Sequence, residues 1–162
     1  MVYHYSNCRV NNFGRGDTQI FLPKKGCHIN MKRNYFEQLI REAVAALPEH
    51  GKKAMDNVSF VVEKEARRKK RKEIGIKVNE VLLGLYEGVP KTNRENYFGV
   101  LPDKITIFQQ PIEELAGRDE KKLKKLIYEV VWHEVGHHLG FDEKEIRALE
   151  TKKRKGKIKT TC

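Results

Sequence analysis

Apolar and polar positions alternate along this chain in a few distinct spacings. Between Tyr35 and Leu47 the apolar residues Phe36, Leu39, Ile40, Ala43, Val44 and Leu47 recur every three to four positions. That spacing predicts an amphipathic helix, and Pro48 and Gly51 follow as stop signals. Residues 57–64 (NVSFVVEK) are β-branched and aromatic, which predicts a strand. Residues 80–87 (EVLLGLYE) form a second apolar segment, where Gly84 favours a strand or irregular turn over a long helix. Residues 88–103, with two prolines and two glycines, predict a loop. Residues 104–109 (KITIFQ) predict a strand, and a short helix from Pro111 closes at Gly117.

The clearest pattern lies downstream. Leu123, Leu126, Ile127, Val130 and Val131 form a stripe at i, i+3, i+4, i+7 and i+8. Asp119 suits the N-cap, Glu120 the positive end of the helix dipole, and Gly140 the C′ position. A last helix is predicted over roughly 143–153. Residues 1–30 show no sustained period, and only Gln19–Leu22 could add an edge strand. The expected organisation is an N-terminal extension over 1–30, mobile, then a folded domain over 31–151 and a basic tail over 152–162.

Composition changes this picture mainly through charge. The net charge of +11 sits in two blocks: residues 64–72 carry +6 and residues 152–159 another +6, leaving −1 for the rest. Such blocks are usually solvated loops or tails, and 64–72 reads as a loop or strand extension. Docking of an acidic partner or nucleic acid is the alternative, although no RNP-like strand, CxxC pair or basic-zipper pattern accompanies the charge. No apolar run is long enough to cross a membrane, and no basic-then-apolar leader opens the chain. Cys8, Cys27 and Cys162 are an odd set, so a reducing, cytoplasmic setting is expected.

The candidate chemistry is at the end of the long helix, in WHEVGHHLGFDEKE. His133 and His137 are four residues apart, about 40° around the axis and about 6 Å along it, so two imidazoles can share one Zn2+. Glu134 lies on the same side, suited to act as a general base on a water rather than as a ligand. A catalytic zinc keeps an open position for that water. The third ligand is expected to be a carboxylate delivered by the turn after Gly140: Glu143 first, then Asp142, then a downstream group such as Glu150. His138, about 100° around from His137, is expected either to support the ligands from behind or to lie at the surface. Trp132 is expected to be core. Tyr86 and Tyr97 could each stabilise an oxyanion, with packing the favoured reading.

At these residues the sequence resembles the small bacterial zincin-like metallopeptidases, the minimal zincins with an HExxHxxGxxD motif. The resemblance covers about residues 33–150, including the helix ending in ALP, DNVSFVVE, LLGLYEGVP, FGVLPDKITIFQQPIEEL and VVWHEVGHHLGFDEKEI. It implies an α+β fold: a compact zincin-like single domain with a small mixed sheet packed on the HExxH helix. It implies that ITIF is the strand beside the cleft, able to hold an extended peptide. It also implies a zinc metallopeptidase acting on peptide or protein substrates. Glu143 stands where the family pattern has Asp, and no Met-turn follows. The competing reading is a non-catalytic protein that zinc stabilises, docking an acidic partner or nucleic acid through its basic segments.

Overall fold

The computed structural model describes residues 31–77, 80–94 and 102–158, with side chains described through Lys152. Gln19–Leu22 and Tyr97 lie outside the described residues. The elements run α1 (Arg33–Ala45), α2 (Glu49–Lys53), β1 (Val58–Glu63), α3 (Arg68–Glu73), β2 (Gly84–Glu87), a 3-10 turn (Lys91–Asn93), β3 (Asp103–Phe108), α4 (Gln109–Ala116), α5 (Glu120–Leu139) and α6 (Glu143–Ile158). None of the described helices is long and apolar enough to cross a membrane.

Local signals account for both ends of α5. Asp119 caps α5 by accepting the Lys122 N–H at 3.1 Å. Gly140 ends it with φ +97°, in the left-handed region, so its N–H reaches His137 O and the Phe141 N–H reaches Gly136 O. This paired closure needs a residue without a Cβ penalty at C′. Pro111 sits in the first turn of α4, where a missing N–H costs nothing. Pro48 does more than end α1: with φ −58° it opens the short α2, which the sequence had not suggested.

The sheet has the order β1–β3–β2, with β1 parallel and β2 antiparallel to β3. Ile105 and Ile107 point from β3 into the main core with Phe36, Leu39 and Ile40 of α1 and Leu123, Ile127 and Val131 of α5. Burying each such side chain stabilises the fold by about 1.5–3 kcal/mol. α5 is a central helix as well as an amphipathic one. Between Val130 and His138 only Trp132 and His137 escape full burial. Trp132 packs against the core, as expected.

Three expectations require correction. ITIF is the central strand, hydrogen-bonded on both sides, so it has no edge to offer a peptide. The edge strand next to α5 is β2. The basic run is also not a loop: Arg68–Glu73 is helical. Like charges within one turn disfavour an isolated helix, but here tertiary contacts decide. Lys70 pairs with Glu87 of β2, and Arg71 donates to the Glu80 carbonyl at 2.8 Å. Ala66, Ile74 and Ile76 cover Leu82, Leu85 and Phe108 on the sheet's outer face. The last helix likewise runs to Ile158, five residues past the predicted end and into the segment read as a tail.

Candidate metal centre

The helical period of α5 places His133 and His137 one turn apart, and their Nε2 atoms lie 3.2 Å from each other. The Gly140 turn reverses the chain so that α6 returns over the last turn of α5, with Ile146 seated against Gly136. Glu143, the first residue of α6, then brings Oε2 to 3.3 Å from His133 Nε2 and 3.7 Å from His137 Nε2. These three side chains converge as a potential metal-binding group. A tetrahedral ion with bonds of about 2.0–2.1 Å separates its ligand atoms by about 3.3–3.4 Å. The three observed separations bracket that value, and two nitrogens with one carboxylate is a donor set zinc accepts. The residues therefore fit a zinc ion.

The outer atoms of these side chains are also held. His133 Nδ1 lies 3.2 Å from Glu150 Oε1, and His137 Nδ1 lies 3.2 Å from the Phe141 carbonyl. Each contact fixes the ring and leaves Nε2 to carry the lone pair. Arg147 donates to the other Glu143 oxygen at 2.6 Å. Burial, followed by the charge of His133, pushes the His137 pKa down, which favours the neutral ring a metal requires. Exposure rises from His133 at 1% through His137 at 24% to Glu143 at 39%, so the group opens to solvent on one side.

Asp142 and Glu150, the two alternatives to Glu143, are engaged elsewhere. Asp142 caps α6: its Oδ1 accepts the Glu145 N–H at 2.8 Å, while its own N–H donates to Glu145 Oε2 at 2.8 Å. Glu150 stands behind His133, on the Nδ1 side, and not among the converging atoms.

Glu134 is fully buried, and among the described residues neither of its oxygens has a hydrogen-bond partner of normal geometry. It points at β2, where Gly84 leaves room for it: a Cβ there would sit 2.6 Å from Glu134 Oε1. Burial pushes the Glu134 pKa up, and the nearby Glu143 adds to this. A charged His133 and the Tyr86 backbone N–H pull the other way without cancelling it.

Sequence reasoning missed a second buried polar cluster beside this one. His138 is fully buried, with Nδ1 2.8 Å from Asp103 Oδ2 and Nε2 2.8 Å from the Ala54 carbonyl. This places it inside the protein, not on the surface. Tyr86 donates to Asp103 Oδ2 at 2.8 Å, and Arg94 pairs with the same carboxylate. Burial and the Asp103 contact hold the Tyr86 phenol well above its usual pKa. Tyr86 is therefore a structural anchor, in line with the packing reading. The supporting face of α6 did leave a trace in sequence, since Glu143, Arg147 and Glu150 are spaced i, i+4 and i+7.

Comparison with family models returns one described as zincin-like metallopeptidase, matching residues 55–153. The matched stretch contains β1, the sheet, the converging histidines and most of α6. A comparison with curated proteins returns no match.

Proposed function

Because the chain belongs to the zincin-like metallopeptidase family, we propose that it is a zinc-dependent peptidase in which His133, His137 and Glu143 hold the metal and Glu134 is the general base. Bound there, zinc would supply a Lewis acid with an open position that activates water and polarises the scissile carbonyl.

The remaining roles fall to the chain's own side chains. Glu134 takes up the proton of the attacking water and passes it to the leaving amine. Its burial against β2 keeps bulk water from competing with the carboxylate for that proton. Glu150 and the Phe141 carbonyl keep the two imidazoles in register. An extended peptide substrate would pair with the outer edge of β2, the strand against which Glu134 is packed.

The observation that carries this reading is the fully buried Glu134 carboxylate beside the three converging donors. A structural zinc is normally closed by four protein ligands and has no use for a base. Among the described residues three side chains converge. The test compares wild type with Glu134→Gln on a peptide library, with zinc content measured on the same samples. Retained zinc with loss of cleavage supports the proposal. Equal cleavage by the variant refutes the assignment of the base, and zinc-loaded wild type that cleaves nothing favours the non-catalytic alternative.

A further inference from the structure

On the face of the sheet turned away from α5, the cover provided by α3 is incomplete. A cavity of about 250 Å³ remains between α3 and the sheet. Its floor is the outward row of β3, with Lys104, Thr106 and Phe108 in line, and Leu85 of β2 forms a wall. The volume equals that of about eight waters, enough for a molecule of about eight to ten heavy atoms.

The floor contains a polar atom that the protein leaves unserved. Thr106 is 2% exposed, and among the described residues its Oγ1 has no hydrogen-bond partner. Buried hydroxyls are almost always paired, because burying one unpaired forfeits its bonds to water. Val or Ile would fit the same strand position without that loss. Thr106 lines the cavity, which makes the cavity the nearest space from which a ligand could supply that partner.

The charges at the rim are divided unequally between engaged and uncommitted groups. Glu87 lies between Lys104, at 2.7 Å, and Lys70, and so is neutralised. Two lining charges remain uncommitted. Among the described residues the Arg67 guanidinium and the Glu63 carboxylate form no ion pair. Arg67 presents a planar fork of donors suited to a carboxylate. Ala66, Leu85 and Phe108 add apolar surface to the same lining.

We propose that this cavity is a second ligand site, separate from the metal centre, which binds a small organic carboxylate with an apolar body. The carboxylate meets Arg67 at the mouth, the body lies on Phe108 and Leu85, and the Thr106 hydroxyl bonds a polar atom of the ligand. Glu63 would repel a bare carboxylate placed close to it but would accept an α-ammonium. The ligand is thus either a simple carboxylate held clear of Glu63 or a free amino acid spanning both charges.

The experiment titrates the full-length protein by NMR with three probes of one shape: leucine, 4-methylpentanoate and isopentylamine. Saturable binding of the two carboxylates is expected, with shifts centred on Thr106 and Arg67, and none from the amine. Arg67→Gln should weaken both carboxylates at least tenfold, and Thr106→Val should weaken them while the melting temperature holds. A preference for leucine that disappears in Glu63→Gln assigns an amino acid, whereas equal binding assigns a simple carboxylate. The proposal is overturned if neither carboxylate saturates at millimolar concentration. It is equally overturned if the amine binds as well as they do, or if Arg67→Gln changes nothing.

Discussion

Gly84→Ala perturbs the contact between the sheet edge and the proposed base. The new Cβ would lie 2.6 Å from Glu134 Oε1, 2.8 Å from Val130 Cγ1 and 2.9 Å from Glu134 Cγ. Ordinary contact begins at 3.4 Å, so the closest pair must separate by about 0.8 Å. Glu134 could rotate, but Val130 is 1% exposed and packed in the core, so β2 itself must move. Overpacking of this kind costs about 1–3 kcal/mol. For a domain of this size that lowers the melting temperature by roughly 4 °C per kcal/mol. A displacement approaching 1 Å at a reacting group can cost about a hundredfold in rate. The atoms nearest the added Cβ belong to Glu134 and Val130 and not to His133, His137 or Glu143, so zinc affinity should change little. The assay is kcat/KM on a cleaved peptide, with zinc content and melting temperature measured on the same preparation. Wild-type melting temperature together with wild-type kcat/KM would show that β2 does not bear on Glu134 as described. Loss of zinc in parallel with activity would show that the two parts of the site are not separable.

Three further outcomes follow from the contacts around the metal centre and the sheet rim. Glu150→Ala should weaken zinc binding by roughly 10–100-fold, with Glu150→Gln less affected, because His133 loses the group that orients it; chelator competition measures this. Asp142→Ala should cost about 1 kcal/mol of stability through the lost cap and leave zinc affinity unchanged, whereas Glu143→Ala should lose zinc; the reverse pattern would exchange their roles. Burial raises the Glu87 pKa, but the bonds from Lys104 and Lys70 outweigh it and leave it lowered. Its stabilising contribution is therefore complete above the ordinary glutamate range and fades as pH falls through the lowered value, so Glu87→Gln should flatten the acid limb of stability against pH.

The sequence by itself determined the features that depend on neighbours along the chain. The period of α5, its Asp119 cap, its Gly140 stop and the phase of His133, Glu134 and His137 follow from helix geometry, and the structure reproduces them. α1, β1 and β3 were legible for the same reason, because each carries its own burial pattern. The tertiary structure decided what depends on segments far apart. Whether Glu143, Asp142 or Glu150 joins the histidines depends on the angle at which α6 returns over α5. One residue of register assigns Asp142 to the cap and Glu143 to the histidines. ITIF reads as an apolar strand whether it is central or at an edge, and only pairing with both β1 and β2 makes it central. Residues 68–73 are polar throughout and show no helical stripe. They become a helix through Lys70 on Glu87 and Arg71 on the Glu80 carbonyl, contacts that exist only once β2 is in place. Asp103 and His138 are 35 residues apart, and their buried pairing leaves no periodic trace because a single polar contact does not repeat along the chain.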